Sequence, residues 1–131
     1  MSKLLYQRPG LCLDFKRDRI RIHKPTLHLL GDPTHINLLI APEKGIIAIK
    51  TASEYDHLSL KVSQNSAAPD GCYEIHSKSL MRQLMDLYHG WECNNSYRIY
   101  GKYDGGNKLT IFYVVDSRLL EDRACTEKSI T

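Results

Sequence analysis

The sequence predicts an α+β fold made of two copies of one strand–helix–strand–strand unit, with mostly antiparallel strands. Three observations lead there. Short runs alternate apolar with polar residues, which is the period of a half-buried strand. Two stretches carry the start and stop signals of a helix. The order of these elements in residues 11–50 then returns in residues 58–115, leaving 116–131 as a C-terminal tail.

The elements follow in order. Pro9-Gly10 is a turn pair that closes a short lead-in. Residues 11–15 alternate as a strand, and Lys16-Arg17-Asp18 is a tight polar turn. Arg19-Ile20-Arg21-Ile22-His23 alternates strictly, so Ile20 and Ile22 share one face and Arg19, Arg21 and His23 the other. Pro25 suits the first turn of a helix, where its missing N–H costs nothing, and Gly31 stops that helix. Residues 35–40 read as a buried strand, residues 41–45 as a hairpin loop ending in Gly45, and residues 46–49 as the return strand.

The second unit opens with an alternating strand at 58–62 and a polar loop at 63–71. A strand at 72–76 precedes a helix capped by Ser77 or Ser79, with Leu80, Leu84 and Leu87 on one face and Gly90 at its end. Strands at 97–103 and 108–115 flank Asp104-Gly105-Gly106-Asn107, a strong hairpin signal. Trp91 reads as a core anchor, and the tail adds a helical turn around Leu119-Leu120. The duplication rests on order and spacing. Residues 19–27 align with residues 72–80 without a gap, which sets Ile22-His23 on Ile75-His76 and Leu27 on Leu80. A unit of this size scarcely buries a core alone, so two would pack together around a pseudo-two-fold axis.

Composition narrows the function classes. The 131 residues are 42% hydrophobic and 25% charged, ordinary for a folded domain. A net charge of +3 permits an acidic partner without requiring one. The start of the chain carries no apolar core of a signal peptide, and no apolar run reaches the roughly 20 residues that span a bilayer. The expectation is a cytoplasmic protein with reduced thiols; Cys12, Cys72, Cys93 and Cys125 are too scattered for a metal site. The six histidines show no ligand spacing, and no nucleophile elbow, phosphate loop or dinucleotide fingerprint occurs. The sequence therefore calls for no catalytic residues, no cofactor and no metal, and predicts a binding protein rather than an enzyme.

Two stretches are candidate binding sites. Lys16, Arg17, Arg19, Arg21 and Lys24 crowd five positive charges around one acid, Asp18, at a hairpin. Such a hairpin can follow phosphates or enter a DNA groove, and arginine suits bidentate contacts to phosphate or guanine. The same residues also suit a solvated face that blunts a strand edge. Later, Tyr97, Arg98, Tyr100, Lys102 and Tyr103 interleave aromatic with basic residues. That composition fits ordinary strands, a protein interface, or base stacking.

Residues 11–50 resemble the AbrB-type swapped-hairpin units of bacterial and plasmid-encoded regulators. The matching residues are Arg19-Ile20-Arg21-Ile22-His23-Lys24-Pro25, then Leu29-Leu30-Gly31, then the strands at 36–40 and 46–50. The resemblance implies a swapped-hairpin-like barrel, transcription regulation, and binding of double-stranded DNA by Lys16, Arg17, Arg19 and Arg21. It implies a homodimer, unless a tandem copy satisfies the swap within one chain. Two features depart from the family's pattern: Lys16-Arg17-Asp18 stands where a glycine turn is usual, and the second copy has Cys72-Tyr73-Glu74-Ile75 in place of the basic strand. The rival expectation is a protein-binding inhibitor from a phage or mobile element, anti-CRISPR-like, aimed at a nucleic-acid-handling protein and not binding DNA itself.

Overall fold

The computed structural model describes residues 8–62 and 72–120. The lead-in before residue 8, the loop at 63–71 and Cys125 lie outside the described residues. Strands β1 (Gly10–Asp14), β2 (Arg19–His23), β6 (Cys72–His76), β7 (Ser96–Tyr100) and β10 (Arg118–Leu120) form a first sheet in the order β10-β7-β1-β2-β6. Strands β3 (His35–Ala41), β4 (Ile46–Thr51), β5 (Leu60–Lys61), β8 (Lys102–Asp104) and β9 (Leu109–Tyr113) form a second in the order β5-β3-β4-β9-β8. Every pairing is antiparallel. Helices α1 (Lys24–Leu29) and α2 (Lys78–Met85) complete an α+β fold that is mostly strand. Neither sheet closes on itself.

Alternation places one face of each sheet in a shared core. Leu11 and Leu13 of β1, Ile20 and Ile22 of β2 and Ile99 of β7 are fully buried, as are Ile36, Ile47, Ile49 and Phe112 of the second sheet. The cross-strand partners agree, with Leu11 opposite Ile22 and Ile99, and Ile47 opposite Phe112. Burying a side chain of this size is worth about 1.5–3 kcal/mol, so the inward rows dominate the stability. Phe15, Trp91 and Tyr97 close one end of the core with ring centroids 5.4–6.0 Å apart, and the Trp91 indole N–H donates to Ser117 Oγ at 2.9 Å.

Both helices start where the sequence signals them. α1 begins with Pro25 in its first turn and stops at Gly31, whose φ of 87° is left-handed. Thr26 Oγ1 accepts from Gly10 N and donates to Gly10 O, each at 2.8 Å, which ties α1 to β1. α2 is capped by Ser77, whose hydroxyl accepts from Leu80 N at 3.2 Å. Ser77→Ala removes a partner from a helix-terminal N–H. It is expected to lower the unfolding free energy by about 1 kcal/mol in urea titration, and Ser77→Asp to retain most of it.

Five expectations need correction. The strand expected at 97–103 breaks at Gly101 into β7 and β8, which belong to different sheets. The strand expected at 58–62 is only Leu60–Lys61, and it joins β3 of the second sheet while β6 joins β2 of the first. α2 ends at Met85 rather than Gly90, where Asp86 takes the cap position. Residues 118–120 form β10 instead of a helical turn, since the edge of β7 offers them hydrogen-bond partners. Finally, β3 is buried on one face only: Leu39 is 43% exposed. By contrast, Gly45 does take a left-handed conformation at the end of the β3–β4 loop.

Candidate nucleic-acid interface

The outward residues of the first sheet make an arginine-rich face. β2 turns Ile20 and Ile22 inward, so Arg19, Arg21 and His23 face out. The register extends that face across the sheet. Arg21 stands opposite Cys12 on one side and Glu74 on the other, Cys12 opposite Arg98, and Arg98 opposite Arg118. Arg19 stands between Asp14 and His76, with Ser96 beyond Asp14. Arg17, in the β1–β2 turn, reaches back to Asp14, and Arg8 lies over the Tyr100 ring at 4.6 Å. Among the described residues six arginines thus share this face with two carboxylates, a surplus of four positive charges with the histidines neutral.

The two carboxylates hold part of that charge in place. Asp14 is 3% exposed and accepts from Arg19 Nε at 2.9 Å, Ser96 Oγ at 2.9 Å and Arg17 Nη1 at 3.2 Å. Burial pushes the Asp14 carboxyl up, but hydrogen bonds from Arg19, Ser96 and Arg17 outweigh it and hold the group below the usual carboxylate range. Glu74 accepts from Arg19 Nη1 at 3.0 Å, pairs with Arg21 Nε at 3.3 Å and lies 3.3 Å from His76 Nε2. Arg17, Arg19 and Arg21 are therefore organised by acids rather than simply projecting into water. Among the described residues no acid pairs with Arg98 or Arg118. They face one another directly, a like-charge pairing that costs free energy. Arg98 Nη1 donates to Tyr100 Oη at 3.3 Å, while its buried Nε has no hydrogen-bond partner among the described residues.

The turn explains the missing glycine. Phe15 to Asp18 connect Asp14 to Arg19, and Asp18 itself adopts a left-handed φ of 53°. Aspartate tolerates that conformation better than most residues. Its carbonyl also accepts from Ser77 N at 3.1 Å, which fastens the turn to the start of α2. Gly10 does need to be glycine: a Cβ there would come within 2.5 Å of His23 Nδ1, and the His23 and Tyr100 rings meet above it with centroids 6.2 Å apart.

The structure joins two expected sites and divides one of them. Arg19, Arg21, Arg98 and Tyr100 share the outer face, with one strand, β1, between the two pairs. Lys16 is exposed in the turn, and Lys24 is exposed at the first residue of α1. Tyr97 turns inward and is buried against Phe15 and Trp91. Lys102 and Tyr103 lie in the other sheet, so neither belongs to this face. Sequence reasoning missed Arg8 and Arg118, which no local pattern marks, and the ordering role of Asp14 and Glu74.

Cys12 and Cys72 are buried thiols and Cys93 is exposed. Among the described residues no cluster of histidine, cysteine or carboxylate has the geometry of a metal site, and no helix is long and apolar enough to cross a membrane. Compared with models of known protein families, with curated proteins and with solved structures, the chain matches none of them.

Proposed function

We propose that this protein binds double-stranded DNA through the arginine face of its first sheet, as a small regulator or accessory factor. The observation that carries the reading is the row Arg118, Arg98 and Arg21, three arginines on one line across four strands. Strands lie about 4.8 Å apart, so the row spans about 14 Å. That compares with a groove width of about 12 Å, so its ends can meet phosphates on both sides of a groove. An anion between Arg98 and Arg118 would relieve their repulsion. Phosphate, two of whose oxygens match the planar guanidinium fork, is the natural occupant.

The reading includes a tandem swapped-hairpin unit, and the strand pairings support it. Pairing β1 with β7 and β5 with β3 is one relation repeated, the first strand of each unit lying beside the third strand of the other. The β2–β6 ladder is centred on Arg21 opposite Glu74, the two residues that the gapless alignment of the halves equates. The β4–β9 ladder joins the last strand of each unit. Of the pairings internal to a unit, the first keeps β1–β2 and β3–β4, while the second keeps β8–β9 alone and has β5 and β6 in different sheets, so that two open sheets stand in place of a barrel. A strict repeat would set an arginine opposite Arg21. Glu74 there replaces repulsion by an ion pair, which accounts for the missing basic strand. Both swaps lie within one chain, so this reading makes the protein a monomer.

Fluorescence anisotropy with random-sequence duplex at low and physiological salt tests the proposal. Binding should weaken steeply with salt as counterions return. Arg98→Ala with Arg118→Ala should weaken it at least about tenfold and lower the salt slope by about two, since each phosphate contact contributes about 0.9. The melting temperature should hardly move, because neither residue belongs to the Asp14–Glu74 network. Absence of binding at low salt, or a double variant that binds as tightly as the parent, would refute the assignment.

A further inference from the structure

The second sheet exposes a face of a different kind. Its inward row is Ile36, Leu38, Ile40, Ile47, Ile49 and Phe112, so the alternate residues look outward. The register sets Leu39 beside Ala48, Ala48 beside Ile111 and Ile111 beside Lys102. The neighbouring row joins Ile46 to Tyr113. Leu39 and Tyr113 are about two-fifths exposed, and Val115, just beyond β9, is 69% exposed. Both helices pack against strands of the first sheet instead. An antiparallel sheet normally turns polar residues to water, so aliphatic and aromatic residues contiguous across three strands mark an interaction surface.

Its charges say what covers it. Among the described residues Lys50, Lys61 and Lys102 are the lysines of this face, and none of them makes an ion pair there. Among the described residues Asp104 is the acid on the outward rows of these strands, so the three lysines leave the sheet's outer face a surplus of two positive charges. Asp104 accepts from Gly106 N, Asn107 N and Asn107 Nδ2, and Asp56 accepts from Asn37 Nδ2 and Leu58 N. Hydrogen bonds from Asn107 hold the Asp104 carboxyl below the usual carboxylate range, and those from Asn37 and Leu58 do so for Asp56. A second copy of this chain would set one positive surplus against another. Nucleic acid would bring no apolar stripe to cover Leu39, Ile46 and Val115.

We infer that the outer face of the second sheet docks an apolar segment of a partner protein that carries acidic residues beside its apolar stripe. Lys50 and Lys102 lie two strands and two residues apart, about 12 Å. Acids seven or eight positions apart on a helix match that span, at about 1.5 Å per residue. The loop between β4 and β5 extends the surface at the β3 side. Asn37 holds it through Asp56, and it presents Tyr55 and Leu58, 88% and 74% exposed. With DNA on one sheet and a protein segment on the other, the two faces can be occupied together.

The probe is a labelled amphipathic peptide of about 18 residues, with a leucine and phenylalanine stripe flanked by glutamates at that spacing, read by anisotropy against the full chain. A second peptide carries lysine for each glutamate. The glutamate peptide should bind at least about tenfold more tightly. Lys50→Glu with Lys102→Glu should invert the preference. Leu39→Asp should abolish binding of both, with an unchanged melting temperature certifying the fold. Equal affinity for the two peptides, no binding of either, or indifference to these substitutions would overturn the inference. So would sedimentation as a dimer that Leu39→Asp dissociates, which would give the face to a second copy, or displacement of the bound peptide by duplex DNA. Because the DNA test reads Arg98 and Arg118 on the other sheet, either proposal can fail without the other.

Discussion

Asp14→Asn is expected to weaken the fold by about 2 kcal/mol and to tighten DNA binding at the same time. Asp14 is buried on the outer side of β1 and accepts three side-chain hydrogen bonds, two of them from arginines. Breaking a buried ion pair costs about 3–5 kcal/mol, and the partial exposure of Arg19 and Arg17 reduces that figure. The charge removed is one that partly neutralises the proposed phosphate-binding face, so the electrostatic attraction to DNA rises. Urea titration reads the first effect and low-salt anisotropy the second. If affinity falls together with stability, Asp14 is needed to aim the arginines, and its role is positioning rather than restraint.

The same carboxylate sets a pH dependence. Its folded-state pKa lies below the unfolded value of about 3.9. Its contribution is therefore complete above the unfolded pKa and is lost as pH falls through the depressed folded value. Wild-type stability should drop on acidification below about pH 4 more than that of Asp14→Asn, and the two curves should converge at the acid end. Parallel curves would mean that Asp14 does not titrate with folding.

Gly101→Ala is expected to cost about 3 kcal/mol, without any appeal to backbone conformation. At Gly101 the chain leaves β7 in the first sheet and enters β8 in the second, and its N–H donates to Pro9 O at 3.0 Å. A Cβ there would lie 2.4 Å from Ile111 O and 2.6 Å from the Phe112 ring. The carbonyl belongs to the β9 backbone, and Phe112 is fully buried among core residues. Neither can yield, so the two sheets would have to part, at the upper end of the cost of overpacking. The control is Gly105→Ala in the exposed hairpin turn, where the nearest atom would be 3.4 Å away; it should cost less than about 1 kcal/mol. Similar losses at both positions would mean that the corner is not closely packed.

Local signals in the sequence determined the elements. Strict alternation in Arg19-Ile20-Arg21-Ile22-His23 is enough to assign the two faces of β2, because strand geometry leaves no other way to bury both isoleucines. Pro25, Gly31 and Ser77 mark helix ends by backbone chemistry that operates within a few residues. The α+β class follows from these alone. Tertiary structure decided whatever depends on which strand lies beside which. Nothing local in the run at 97–103 tells that Gly101 is a corner, since the atoms that exclude a side chain there belong to β9. Nothing near Arg98 announces that β1 will stand between it and Arg21, or that β10 will bring Arg118 opposite it. A strand's own pattern sets which way its side chains point, whereas the composition of a sheet face is set by pairings between distant segments. The candidate site and the apolar face are products of that second kind of information.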